Sequence, residues 1–288
     1  MTRFAALVAS VSVFVLAAAA GSASAAVAPS YYLSLGDSLA QGYQPIGGPR
    51  TFAVLPIYGY EQGYANQLFK LERGRYTQLQ LVKLGCGGES SVSMVYGSQD
   101  PDVAASCGPP SFYAARYPNG GTQLAEATAF LEAHRGSVAF VTLDIGANDI
   151  TGASGIEPIF SNLPLILDDL RAAAGPGVPI IGMNYYDPFL PQAWSDGGLP
   201  AVQAEIAGVV AFNDVLENAY ADAGDPVADV ETAFAVTDLT LVGGTPSSVL
   251  RECQWTWICT PPPLGPDMHA NSTGYGVIAG AFAEQLTP

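Results

Sequence analysis

Apolar runs of strand type alternate with helical patterns along most of this chain, and that alternation constrains its fold more than any other feature. Tyr31–Leu35 is a short strand candidate ending at Gly36. Residues 62–73 carry Tyr64, Leu68 and Leu71 at helical spacing, and Gly74 is a stop signal. Residues 78–84 alternate apolar and polar, as a strand does. Further helices are predicted over 122–135, 159–174, 201–223 and 272–286, and further strands over 138–145, 178–185 and 227–230. Val138–Leu143 is nearly continuous apolar sequence, the signature of a parallel strand covered on both faces. Helices placed between such strands imply a parallel sheet with crossovers on both sides. The long irregular pieces are 44–60, 85–119, 187–200 and 232–271, read as ordered walls around a site at one edge of the sheet.

The first 25 of the 288 residues stand apart. Arg3, an apolar run from Phe4 to Ala20 and then Ala23-Ser24-Ala25 have the layout of a secretory signal peptide. The run is short for a membrane span, which needs about 20 residues. The expected arrangement is therefore a signal over 1–25 and a single domain over 26–288, secreted, monomeric and without a span in the mature part.

The whole chain holds 10 basic and 26 acidic residues, for a net charge of −16. Without Arg3 the remainder has nine basic residues and stands at −17. Nucleic-acid binding needs clustered Lys and Arg and is excluded as an expectation. Anionic membrane surfaces are disfavoured too. At 49% hydrophobic residues the chain is far from the compositions that stay unfolded. Cys86, Cys107, Cys253 and Cys259 form an even set in an exported chain, which suggests two disulfides. The most economical of the three connectivities is Cys86–Cys107 with Cys253–Cys259. No metal-ligand spacing is visible, and no metal or cofactor is expected.

Elimination narrows the chemistry. The chain has only two histidines, His134 and His269. H-E-x-x-H, the P-loop and G-x-S-x-G are all absent. Four segments remain, each after a predicted strand or before a helix. They are Leu35-Gly36-Asp37-Ser38-Leu39, Leu84 to Ser90, Asp144-Ile145-Gly146-Ala147-Asn148-Asp149, and Asp267-Met268-His269-Ala270-Asn271. A Ser just past a parallel strand lies where open α/β sheets place their ligands. Singly, each segment reads as turn or capping chemistry.

In this order and spacing, the four segments resemble the SGNH hydrolases, also called GDSL lipases and esterases. The blocks run over Tyr31–Leu286. The resemblance implies a flavodoxin-like three-layer α/β/α sandwich of about five parallel strands, and a serine hydrolase acting on small-molecule or lipid esters. It implies Ser38 as nucleophile and an oxyanion hole made of the Ser38 and Gly88 backbone N–H groups and the Asn148 side-chain amide. A serine hydroxyl needs a base within hydrogen-bond reach. His269 lies on a predicted loop at a helix entrance and is the better candidate. His134 lies in the last turn of a helix and reads as structural.

The family usually places its acid three residues before the histidine, where this chain has Pro266. Asp267, two residues before His269, is the expected third member, with a backbone carbonyl from 257–266 as the alternative. Asp37 and Asp149 are expected to brace the turns beside Ser38 and Asn148. Trp194, Trp255, Trp257, Phe52, Tyr58 and Tyr60 are equally readable as an acyl pocket or as loop packing. A carbohydrate O-deacetylase with the same site is the rival within enzymes. A secreted binding protein that has lost catalysis is the rival from another class.

Overall fold

The computed structural model describes residues 30–45, 60–76, 78–97, 116–152 and 155–286. The predicted signal, Cys107, Phe52 and Tyr58 lie outside them. The centre is a five-stranded parallel sheet: β1 (Tyr31–Gly36), β2 (Gln80–Lys83), β3 (Val138–Asp144), β4 (Ile180–Met183) and β5 (Val227–Ala228). Its order is β2-β1-β3-β4-β5, the flavodoxin-like order. The direction of winding reverses between β1 and β3, so the crevice at their carboxyl ends is the natural site of such a sheet.

Helices cover both faces. On one side α2 (Tyr64–Glu72) packs on α10 (Ser272–Glu284), with Tyr64 stacked on Phe282 at 4.9 Å. On the other lie α4 (Gln123–Ala133), α6 (Glu157–Ala174) and α7 (Leu190–Ala223). Leu163, Ile166, Leu167 and Leu170 recur at helical spacing on the buried face of α6. β3 is buried over nearly its whole length, as its apolar run predicts.

Several irregular stretches carry more structure than expected. α7 begins at Leu190, within the predicted loop 187–200, and bends at Gly198, whose φ is 62°. Pro191 is tolerated in a first helical turn, and the Gly197-Gly198 pair breaks the apolar pattern that would have revealed the helix. By length and composition α7 could cross a membrane, but its Phe212, Leu216 and Tyr220 are buried against the sheet side of the fold. The predicted loop 232–271 contains most of α8 (Val230–Phe234), a β6–β7 hairpin (Leu241–Val242, Thr245–Pro246), α9 (Ser247–Trp255), and an antiparallel pair of β8 (Thr256–Trp257) and β9 (Asp267–Ala270). His269 therefore stands on a strand, not on a loop. Short helices follow three of the sheet strands: α1 (Ser38–Gln41), α3 (Ser91–Tyr96) and α5 (Ala147–Thr151).

Gly36 and Asp144 are register partners at the ends of β1 and β3. Gly36 has φ of 129°, and a Cβ there would lie 2.0 Å from the Asp144 carbonyl oxygen. No other residue fits, so β1 and β3 can meet this closely only through glycine.

Candidate active site

Asp37 caps the first turn after β1. Its Oδ1 accepts the Leu39 N–H at 2.8 Å, which starts α1 at Ser38 and turns the hydroxyl out of the sheet. Ser38 is half-buried, while Asp37, Leu39 and Ala40 around it are buried. β9 brings the other half of the site. Asp267 and His269 are two apart on a strand, so their side chains share a face. This is why D-x-H spacing works here. The Asp267 Oδ1 lies 2.7 Å from His269 Nδ1 and also accepts the His269 backbone N–H at 2.9 Å. The His269 Nε2 lies 2.8 Å from Ser38 Oγ. A carboxylate only accepts, so Nδ1 carries the proton and Nε2 is left to accept from the serine hydroxyl.

The three expected oxyanion donors converge on the same edge. Gly88 sits in a turn closed by the Glu89 N–H on the Cys86 carbonyl, at φ of 83°. Gly87 N–H is held by Gln41 Oε1 at 3.1 Å, which ties this turn to the nucleophile's helix. Among the described residues, neither the Ser38 nor the Gly88 backbone N–H has an acceptor. Asn148 Nδ2 donates to the Glu89 carbonyl at 2.9 Å and faces Asp37 Oδ2 at 3.4 Å. The first bond fixes the amide; the second is long and weak.

Asp149 is buried and accepts both the N–H and the hydroxyl of Ser91, at 2.8 and 2.6 Å. It thus joins α5 to α3. Burial raises its pKa, and the Ser91 bonds pull it back. Asp37 faces not Asp149 but Asp144, the first residue of the same segment, to which no role was assigned. Asp144 accepts from the Asp37 and Ala40 backbone N–H groups and from the Tyr64 hydroxyl. Burial, then the facing Asp37, pushes Asp144 well above the usual carboxylate range, and burial raises Asp37 as well. Asp144 thus ties β3 to the turn that begins α1, where Asp37 is the acceptor for the Leu39 N–H.

Other supports were invisible in the sequence because they look like ordinary surface residues. Gln123 pairs with the Gly36 backbone through both amide atoms, at 2.6 and 3.0 Å, and holds Glu89 at 2.9 Å. Tyr186 donates to the carbonyl of Met268, between the acid and the base. Tyr43 lies against the His269 ring, centroids 4.5 Å apart. A glycine-then-aromatic pair immediately after the nucleophile's short helix was the available signal for Tyr43.

The remaining predicted residues fall elsewhere. His134 closes α4, its Nδ1 2.8 Å from the Phe130 carbonyl, near the amino end of β3 and far from Ser38. Cys253 and Cys259 are bonded, with Cα atoms 5.0 Å apart, bracing α9 against the β8 turn. Cys86 is buried beside Gly88 and is not a free thiol. Trp255 packs edge-on against Phe234 at 5.2 Å, and Trp194 packs on the core. Trp257 is the strand partner of Asp267. Tyr60 opens a single 3-10 turn, Tyr60–Gln62.

With sheet order, nucleophile turn and the Ser38–His269–Asp267 line in place, the family comparison has a structural meaning. Residues 34–277 match the GDSL-like lipase/acylhydrolase family, and the chain belongs to that family of hydrolases. Among solved structures it is similar to phospholipase A1 from Streptomyces albidoflavus, at 14% identity and a TM-score of 0.50, covering 90% of this chain and 100% of that one. It is also similar to Axe2, an acetylxylan esterase from Geobacillus stearothermophilus, at 13% identity and a TM-score of 0.52, covering 90% and 94%. At such identities these likenesses concern the fold. No curated protein matches the sequence.

Proposed function

We propose that this protein is an exported carboxylic ester hydrolase that works through an acyl-enzyme on Ser38. The observation that carries the reading is the unbroken line from Asp267 Oδ1 through His269 to Ser38 Oγ, at 2.7 and 2.8 Å. His269 Nε2 takes the hydroxyl proton as Oγ attacks the ester carbonyl. Asp267 steadies the imidazolium that results. Negative charge on the carbonyl oxygen meets the N–H groups of Ser38 and Gly88 and the Asn148 amide. His269 then gives its proton to the departing alcohol, and the acyl group stays on Oγ. Water enters, loses a proton to His269 and attacks the acyl carbonyl. The carboxylic acid leaves, and Oγ regains its proton from His269.

Export rests on the layout of residues 1–25 and agrees with the disulfide chemistry of the chain. The substrate is proposed as a small-molecule or lipid ester, and the protein as a monomer. Rates on p-nitrophenyl esters from acetate to palmitate test the reading. Turnover that is lost in Ser38→Ala supports it, and the chain-length profile separates short-acyl from fatty-acyl preference. A folded protein that turns over none of the series above its Ser38→Ala variant would overturn it.

A further inference from the structure

The base of the site is held on three sides, and the sequence accounts for only two of them. Asp267 holds Nδ1 and Ser38 meets Nε2. The third contact is the Tyr43 ring, 4.5 Å between centroids and tilted by 52°. That ring is not a loose loop side chain. Gly42, at φ of 80°, ends α1 in the left-handed conformation and turns the chain back. The Tyr43 N–H then donates to the Ser38 carbonyl at 2.9 Å. The Tyr43 carbonyl accepts the hydroxyl of Tyr275, fully buried on α10, at 2.7 Å. Both backbone ends of Tyr43 are therefore fixed, one of them to the nucleophile's own peptide.

We propose that Tyr43 is a positioning residue for His269: its ring keeps the imidazole on the line between Asp267 and Ser38 and favours the charged form that arises during attack. The inference rests on the esterase reading of the same site. The face of an aromatic ring is electron-rich and attracts a cation within about 6 Å of its centroid. A ring in contact also blocks rotation of the imidazole about its Cα–Cβ bond, since side chains at this distance cannot pass. The charged or titratable groups around His269 are Asp267 on its own strand, Asp37 at the head of α1, Tyr43 after that helix, and Tyr186 on the far side of Met268. Among the described residues, only Tyr43 meets the ring of His269 in an aromatic contact.

The test uses the full mature protein and the variants Tyr43→Phe and Tyr43→Leu, with Tyr43→Met in reserve should the leucine variant not fold. Two histidines make the imidazole resonances easy to assign, and His134 is an internal control. A cation–aromatic contact of about 0.5–2 kcal/mol corresponds to about 2- to 30-fold in equilibrium or rate. Removing the ring should lower the His269 pKa by about 0.4 to 1.5 units, leave His134 unmoved, and move the acid limb of kcat/KM down with it. kcat on p-nitrophenyl acetate should fall about 3- to 30-fold with KM within twofold. Phenylalanine, which keeps the ring, should hold the His269 titration near wild type. An unmoved His269 titration in the leucine or methionine variant overturns the proposal, as does a phenylalanine variant that shifts as far as leucine. The titration needs no turnover, so it distinguishes failure here from failure of the esterase reading, which is decided by the wild-type protein.

Discussion

The two-residue spacing of Asp267 and His269 departs from the family's pattern, so the acid is where the account is most exposed. When His269 takes the Ser38 proton, an imidazolium forms with Nδ1 2.7 Å from Asp267 Oδ1. The His269 and Asp267 side chains are 18% and 16% exposed, so water screens the pair only in part. Unit charges with centres about 4 Å apart, at an effective dielectric constant of about 20, attract by about 4 kcal/mol. Loss of that attraction in the transition state is about three decades in rate. Asp267→Ala should therefore lower kcat on p-nitrophenyl acetate by about 10²- to 10⁴-fold, with KM changed little. Asp267→Asn should lose nearly as much, because a neutral amide cannot balance the imidazolium or enforce the tautomer. Circular dichroism would check that β9 survives the loss of the Asp267 bond to the His269 N–H. A loss below about tenfold in a folded Asp267→Ala protein would refute the reasoning and show that another group orients the base.

Two further outcomes follow from the same geometry. Asn148→Ala should cut kcat about 10²- to 10³-fold, the usual cost of one oxyanion donor, measured as kcat on a saturating short ester. The second concerns Asp187 and Glu252, buried where α7 meets α9. The Asp187 N–H donates to Glu252 Oε1, and the other carboxyl oxygen of each has no partner among the described residues. Burial, with Glu205 adding to it, pushes Asp187 up to about 7, while burial and then the facing Asp187 push Glu252 well above its usual range. The folded state thus keeps protons that the unfolded chain has lost, and stability falls as pH rises from about 4 to about 7, by up to about 4 kcal/mol for Asp187. Glu252→Gln should flatten this fall and raise the melting temperature at pH 8 above that of the wild type. A variant that melts with the wild type's pH profile would contradict it.

Much of the architecture was legible because its signals are local. β3 is an apolar run that only a doubly covered strand needs, and Gly36-Asp37-Ser38 punctuates the end of β1. Burial hid the rest. Asp144, Gln123 and Glu89 have the composition of surface residues, yet all three are buried and bonded around the turn that carries Ser38 or to one another. Nothing local distinguishes them, since their partners are up to 107 residues away. The first third of α7 is hidden by the Gly197-Gly198 break. β9 is only four residues long and takes its strand character from pairing with β8. That pairing, absent from any local pattern, is what sets Asp267 and His269 on one face within hydrogen-bond reach.

The central claim is that Ser38 is an activated nucleophile, and covalent labelling tests it most directly. Folded protein treated with a fluorophosphonate should gain one phosphonyl group, located by peptide mass spectrometry on Ser38. Labelling should vanish in Ser38→Ala and fall steeply in His269→Ala. Ser38 left unmodified in folded protein, or label found on another residue, would contradict the account.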